Sequence, residues 1–283
     1  MSAREDAFYF ECEQESLLGI LHVPARPATL GVLIVVGGPQ YRAGSHRQFV
    51  LLARSLGTSG FASLRFDYRG MGDATGELTS FEDAKPDLRA AIDAFYRRLP
   101  GLKGVVLWGL CDAASLAASY AADDPRVRSL VLANPWVRSE ATHARALMQS
   151  YYRRRVFEAA FWKKLFSTKF ALRESLNGWS AAWRASRKKL GEGGADLPAR
   201  MLKGLTRRAC PTLFILSGHD LVAAEFRALV AESPDWRRFF AEGAVRVESR
   251  DEFDHTFSRA AWRDQVADIT RAWMLDLTRF MEP

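Results

Sequence analysis

One stretch of the sequence, residues 105–120, combines a strand pattern, a tight turn and a helix pattern with no spacer between them. Residues 105–108 are apolar and partly β-branched, which predicts a buried strand. Gly109 permits a sharp turn, and the alanine-rich residues 112–120 contain no helix breaker. Cys111 is therefore predicted at the apex of a strand-to-helix turn, at the carboxyl edge of a sheet. There, the unpaired N–H groups of the helix start create a positive field.

This turn matches the G-x-S-x-G pattern of a nucleophile elbow with two changes. The sequence reads Gly109-Leu110-Cys111-Asp112-Ala113, so cysteine replaces serine and alanine replaces the second glycine. Taken alone, the window also fits a cysteine that is only a small buried apolar residue, the most frequent state of an unpaired cysteine. Whether Cys111 is a nucleophile or a core residue therefore depends on the pattern of the remaining sequence.

Apolar runs alternate with amphipathic segments over most of the 283 residues, of which 48% are hydrophobic. Strands are predicted at residues 8–12 and 17–23 (an opening hairpin), 32–36, 61–66, 105–108, 129–133, 212–217 and 245–247. Helices are predicted at residues 46–56, 81–99, 112–120 and 262–277. Strands alternating with helices predict an α/β fold with a doubly wound, mostly parallel sheet and right-handed crossovers.

Residues 136–208 do not follow this alternation, and we predict that they form an inserted helical lid. The segment interleaves aromatic residues with basic clusters such as Arg153-Arg154-Arg155, and a glycine-rich stretch at residues 191–194 comes near its end. The predicted domains are therefore an α/β core of residues 1–135 and 209–283 and a lid of residues 136–208. An insertion after the carboxyl end of a strand is expected to cover the edge that carries Cys111.

The net charge of +7 is concentrated in this insertion. Residues 138–208 contain 17 Lys and Arg against 5 Asp and Glu, a charge of +12, so the rest of the chain carries −5. No nucleic-acid recognition motif accompanies the charge, and we expect no specific nucleic-acid binding. An acidic acyl carrier protein or an anionic membrane surface is the expected partner of so basic a segment.

Cysteine usage and the N-terminus bear on the compartment. Cys12, Cys111 and Cys210 are widely separated and odd in number, which indicates neither a disulfide framework nor a zinc site. The N-terminal residues are acidic, and no apolar run reaches the roughly 18–20 residues that span a bilayer. We expect a cytoplasmic protein with a free Cys111, no cofactor and no metal.

An aspartate and a histidine, the residue types that accompany a nucleophile, each follow a predicted strand later in the chain. Asp220 follows the strand at residues 212–217, and His255 follows the last strand. With the elbow and the loop Asp67-Tyr68-Arg69-Gly70-Met71-Gly72-Asp73, this order resembles the α/β-hydrolase superfamily, in its serine-aminopeptidase-like branch, over nearly the whole chain. The resemblance implies a Cys111–His255–Asp220 triad. Asp251 and Asp254, which are near His255 in the sequence, are rival candidates for the acid.

Such a triad would make Cys111 the nucleophile. A helix start and a neighbouring imidazolium lower a thiol pKa from ~8.5 to roughly 3.5–7.5, so the sequence predicts a thiolate–imidazolium pair. His255 would hold the proton and Asp220 would orient the ring. The thiolate would attack an acyl carbonyl and form a thioester acyl-enzyme.

The oxyanion formed in that attack needs two N–H donors. The elbow provides the backbone of Asp112, and the resemblance places the second donor in the loop of residues 37–40. Pro39 occupies the position where the family donor is expected, and proline has no N–H. Either Gln40, through a shifted turn, or Gly38 supplies this donor, or the oxyanion hole is weaker than usual.

The windows around Cys111 and His255 also resemble a smaller group, the exosortase-system-associated hydrolases, which are encoded beside bacterial exopolysaccharide genes. The predicted function is an acyl hydrolase of a carboxylic ester or thioester, acting on a small-molecule acyl substrate and linked to exopolysaccharide biosynthesis. Two alternatives stay open: an acyltransferase that uses the same triad, and a non-catalytic binding module on the same fold.

Overall fold

The computed structural model describes residues 4–37, 40–78, 80–137 and 197–281, and within these ranges eight strands form one sheet. The strands are β1 Arg4–Cys12, β2 Glu15–Val23, β3 Leu30–Val35, β4 Ala62–Phe66, β5 Gly104–Leu110, β6 Val127–Ala133, β7 Thr212–His219 and β8 Val245–Asp254. Their order across the sheet is β1-β2-β4-β3-β5-β6-β7-β8. The β1–β2 hairpin and the β2–β4 pair are antiparallel, and every other pair is parallel. The predicted mostly parallel α/β sheet is confirmed.

Helices cover both faces of this sheet. They are α1 Gln48–Thr58, α2 Lys85–Arg98, α3 Asp112–Tyr120, α4 Leu197–Arg208, α5 Leu221–Glu232, α6 Pro234–Glu242 and α7 Ala260–Met281, with short 3-10 turns at Ser45–Arg47 and Phe81–Asp83. Buried residues of α1 and α7 form a core with one face, and those of α2 to α6 form a core with the other. The central strands β3, β5 and β6 lie between two apolar layers, which explains their unbroken hydrophobic sequence.

The main differences from the sequence prediction concern β8, α1, α5 and α6. The last strand was predicted as residues 245–247, but β8 has ten residues, because its continuation pairs with β7 while its side chains stay largely exposed and polar. The predicted helix at residues 46–56 begins at Gln48, since His46 and Arg47 have left-handed φ values of 53° and 59°. Helices α5 and α6 were not predicted.

The helix α4 falls inside the segment predicted to be a lid. Leu197, Met201 and Leu205 are buried in the core, and Gly204 lies against the backbone of Ala118 in α3. This helix therefore packs as the crossover between β6 and β7. Residues 138–196 lie outside the described residues, so the division into core and lid stays a prediction.

Candidate active site

Cys111 occupies a strained backbone conformation between β5 and α3. Its φ of 63° and ψ of −123° are unusual for any residue with a side chain. The preceding Gly109 allows the turn, because a Cβ there would lie 2.6 Å from the backbone of Ala113. The predicted strand, turn and helix are confirmed, and they hold residue 111 at the helix start.

Hydrogen bonds to the end of β6 hold this conformation in place. The Cys111 N–H donates to the carbonyl of Ala133 over 2.9 Å, and the Cys111 carbonyl accepts from the N–H of Trp136 over 3.2 Å. The hydroxyl of Ser115, one turn into α3, donates to the carbonyls of Cys111 and Trp136. Both backbone groups of the strained residue are thus satisfied by its neighbours. Ser115 was not identified from the sequence.

Asp220 and His255 meet at the same edge of the sheet. The His255 Nδ1 atom lies 2.9 Å from Asp220 Oδ2. Asp220 also caps the start of α5, where its carboxylate accepts from the N–H groups of Val222 and Ala223 at 3.1 and 3.3 Å. Because β5, β7 and β8 belong to the parallel part of the sheet, the residues that follow them lie at one edge.

The two rival acids make other contacts. Asp254 accepts from the N–H of Ser258 over 2.9 Å and from its hydroxyl. The backbone of Asp251 packs against Gly218, where an added Cβ would lie 2.3 Å from the Asp251 carbonyl oxygen. The hydrogen bond of the His255 ring therefore favours Asp220 as its carboxylate partner.

Two opposing effects act on the pKa of His255. Burial lowers it, but the hydrogen bond to Asp220, together with the negative charges of Asp220, Asp112 and Asp254, outweighs burial. The net result is a pKa above the ordinary value of 6.5. The protonated ring is therefore stabilised, as a proton-accepting group requires.

The thiol of Cys111 does not behave as the sequence predicted. Burial raises its pKa well above the ordinary value of 9.0, and the negative charge of Asp112 raises it further. The Asp112 N–H, which hydrogen bonds to the sulfur, lowers the pKa but does not compensate. Burial therefore opposes the predicted thiolate–imidazolium pair in the resting state and favours a neutral thiol.

The oxyanion-hole candidates are only partly described. The Asp112 N–H points at the Cys111 sulfur, and the Asp112 carboxylate accepts from the Ala113 N–H over 2.9 Å. Gly38 lies outside the described residues, and so does Pro39. Gln40 is described, and its buried Oε1 has no hydrogen-bond partner within the described ranges.

Gly37, the first residue of this loop, lies against the elbow. An added Cβ would lie 2.2 Å from Asp112 Oδ1 and 2.7 Å from the carbonyl oxygen of Leu110. Glycine is therefore required for the loop after β3 to approach the elbow. The Gly-Gly pair at the end of a buried strand was the signal for this close contact.

The loop of residues 67–73 has a structural role in the described contacts. Arg42 pairs with Asp67 and Asp73, and Arg69 pairs with Asp87 in α2. These ion pairs fix the loop between β4 and α2. They explain the arginine and aspartates of the motif without assigning them a part in the chemistry.

An eight-stranded sheet with this elbow, followed in chain order by an acid and a histidine at the same edge, defines an α/β-hydrolase fold. The family model described as "Serine aminopeptidase, S33" matches residues 30–255. The chain therefore belongs to the serine aminopeptidase S33 family. It carries cysteine where the elbow pattern of such hydrolases has serine.

Solved structures share the fold at low sequence identity. The esterase Pf2001 of Pyrococcus furiosus is 16% identical with a TM-score of 0.69, and the match covers 97% of this chain and 91% of that chain. The dienelactone hydrolase of Anabaena variabilis is 17% identical with a TM-score of 0.63, covering 98% and 99%. Est1E of Butyrivibrio proteoclasticus, solved with ferulic acid, is 16% identical with a TM-score of 0.62, covering 95% and 98%. A comparison with curated protein sequences finds no significant match.

Proposed function

We propose that this protein is an acyl hydrolase that cleaves a carboxylic ester or thioester through a covalent Cys111 acyl-enzyme. The observation that carries the proposal is the 2.9 Å hydrogen bond between Asp220 and His255 Nδ1, at the sheet edge where the elbow holds Cys111. This bond leaves Nε2 as the ring nitrogen available to the thiol. The catalytic assignments of Cys111, Asp220 and His255 are part of the proposal.

The first half of the reaction starts from a neutral thiol. His255 Nε2 accepts the thiol proton as Sγ attacks the acyl carbon, so the carbonyl oxygen becomes an oxyanion and the ring becomes an imidazolium. Asp220 stabilises this cation. The Asp112 N–H donates to the oxyanion, and a donor from the loop of residues 37–40, either Gly38 or Gln40, completes the hole.

Collapse of the tetrahedral intermediate breaks the bond to the leaving group. The imidazolium gives its proton to the departing oxygen or sulfur, and the acyl group stays on Cys111 as a thioester. Water then attacks this thioester, with His255 as the base, and a second tetrahedral intermediate releases the carboxylic acid and the thiol. The cycle ends with the neutral Cys111–His255 pair that began it.

Ester chemistry is supported by the names of the structural neighbours. Pf2001 is called an esterase, and Est1E was solved with ferulic acid, a carboxylic acid. The family name adds an aminoacyl amide as a substrate class to test. The link to exopolysaccharide biosynthesis and the cytoplasmic location rest on the sequence alone.

Hydrolysis and acyl transfer share the acyl-enzyme and differ in the acceptor. Product analysis separates them: a hydrolase releases one equivalent of free acid per ester consumed, whether or not candidate alcohols and amines are present. A transferase releases little acid and forms acylated acceptor. A binding module consumes no substrate.

The experiment is steady-state turnover of p-nitrophenyl esters, acyl thioesters and aminoacyl p-nitroanilides by the wild type and by two cysteine variants. Cys111→Ala should abolish turnover. Cys210→Ala is the matched control, because Cys210 is a buried cysteine that lies between α4 and β7, and it should leave turnover unchanged. Activity that survives in Cys111→Ala would contradict the proposal.

A further inference from the structure

Asn134 is a fully buried polar residue directly after β6, next to the residue that anchors the elbow. Its φ of 43° lies in the left-handed region, which asparagine tolerates better than most residues. The preceding residue, Ala133, accepts the Cys111 N–H, so the position of Asn134 is tied to that of the nucleophile. Neither Asn134 nor its partner Ser217 was identified from the sequence.

The Asn134 side chain connects the segments that carry the other two residues of the proposed triad. Its Oδ1 accepts from the N–H of Ser217 over 2.9 Å. Its Nδ2 donates to the Ser217 hydroxyl over 2.9 Å and to the carbonyl of His255 over 3.3 Å. Ser217 is three residues before Asp220, and its own hydroxyl donates to the carbonyl of Asp254 over 2.9 Å.

The direction of every bond in this network is determined. The Ser217 N–H can only donate, so Oδ1 of Asn134 faces it, and Nδ2 must face the two remaining oxygens. The Ser217 hydroxyl donates its proton to the Asp254 carbonyl and accepts a hydrogen bond from Nδ2 of Asn134. Such a fully satisfied buried network favours one arrangement of the segments that it joins.

We propose that Asn134 and Ser217 are positioning residues that set the geometry between Cys111, Asp220 and His255. The inference rests on the proposed function, and it adds two residues that act through the backbone of the triad segments. Asn134 holds the backbone of His255, and Ser217 holds that of Asp254, so together they fix the ring against the Asp220 carboxylate.

The test removes each side chain while preserving the backbone. Asn134→Gly suits the left-handed conformation, and Ser217→Ala is the milder variant on the partner. A misplacement on the order of 1 Å near the reacting atoms costs about 100-fold in rate, so kcat should fall by about this factor while KM changes little. Because the two side chains act as one unit, the double variant should lose no more than the larger single loss.

A matched control lies on β6, the strand that Asn134 follows. Ser129 is fully buried, donates to the carbonyl of Pro211 over 2.7 Å and accepts from Trp273 over 3.0 Å, near the opposite end of β6. Ser129→Ala should lower Tm without changing the pH dependence of kcat/KM. A merely structural role of Asn134 would give the same result as Ser129→Ala.

A measurement that needs no turnover separates this inference from the proposed function. The imidazole of His255 is titrated by NMR, with His255→Ala identifying its signal. In Asn134→Gly and Ser217→Ala the pKa of His255 should fall below its wild-type value, because a displaced ring loses part of the Asp220 interaction that raises it. A wild type that cleaves no substrate contradicts the proposed function alone. If His255 has the wild-type pKa in the folded variants, the positioning role is contradicted. Should Asn134→Gly not fold, Ser217→Ala alone decides the test.

Discussion

The Asp220 carboxylate has two roles, because it caps the start of α5 and accepts a hydrogen bond from the His255 ring. Its substitution should therefore change both the rate and the pH dependence. In Asp220→Asn the amide no longer stabilises the imidazolium, and by analogy with better-studied triads kcat should fall on the order of 10⁴-fold.

The pH dependence has a defined sign. A general base works when neutral, so wild-type activity should rise with pH through a His255 pKa above 6.5. In Asp220→Asn the midpoint of this rise should move to lower pH, because the variant loses the Asp220 interaction that raises the pKa of His255, while burial still lowers it. The profile of kcat/KM against pH checks this, with Asp251→Asn as the control. A silent Asp220→Asn beside an inactive Asp251→Asn would reassign the acid.

Alkylation of Cys111 tests the state of the thiol. Its raised pKa means that the rate of reaction with iodoacetamide should still be increasing well above neutral pH, since the thiolate is the nucleophile. Peptide mapping of the labelled protein from about pH 5 to about pH 10 measures this rate. Cys12 is an internal reference, because burial raises its pKa to about 11. A rate plateau for Cys111 near pH 6 would instead establish the ion pair.

At the scale of elements, the elbow depends on the close approach of β5 and α3. Gly109→Ala introduces a Cβ at 2.6 Å from the Ala113 backbone, which no side-chain rotation relieves. The expected result is a loss of roughly 1–3 kcal/mol in the free energy of unfolding, and a displaced Cys111 with lower kcat. Gly101→Ala is the control, since nothing lies within 4 Å of its added Cβ. Thermal unfolding and turnover of both variants give the comparison, and equal behaviour would contradict the packing argument.

The elements that sequence reasoning located best are those buried on both faces. The helix predicted at residues 112–120 agrees with α3, and the central strands agree within a few residues, because continuous apolar runs have few alternatives in a parallel sheet. The edge strand β8 was underestimated because its polar, exposed side chains carry no hydrophobic pattern. Its pairing with β7 is a long-range backbone interaction.

Some features of the candidate site were likewise predictable from the sequence, and others were not. Cys111, Asp220 and His255 were identified as candidate site residues from their order in the chain and from their positions after predicted strands. The structure brings Asp220 and His255 into contact. The pKa of Cys111 was predicted in the wrong direction, because burial is a property of the packed molecule. The Asn134–Ser217 contact joins residues 83 positions apart, and no local pattern indicates it.

At the scale of the whole molecule, the charge of the chain is unevenly distributed. The segment predicted as a lid has an excess of 12 positive charges, and its residues 138–196 lie outside the described residues. Among the described residues, no helix is both long and apolar enough to cross a membrane. That the basic segment binds an acidic acyl carrier protein or an anionic membrane surface stays a prediction.

Replacement of Arg153, Arg154 and Arg155 together tests this expectation. The loss of charge should lower kcat/KM for an anionic carrier-bound substrate and weaken its dependence on ionic strength, because long-range steering is screened beyond ~8–10 Å. A small neutral ester should be cleaved as before. The two substrates are compared from about 20 to about 300 mM salt. Equal losses on both would mean that the arginines support the fold and do not attract a partner.

The central claim is that Cys111 carries the acyl group. Intact-mass spectrometry of protein quenched in acid during turnover of a p-nitrophenyl ester, followed by peptide mapping, measures this directly. The wild type should gain the mass of one acyl group on the peptide that contains Cys111, and His255→Ala should acquire it far more slowly. Turnover with no adduct, or an adduct confined to Cys12 or Cys210, would contradict the account.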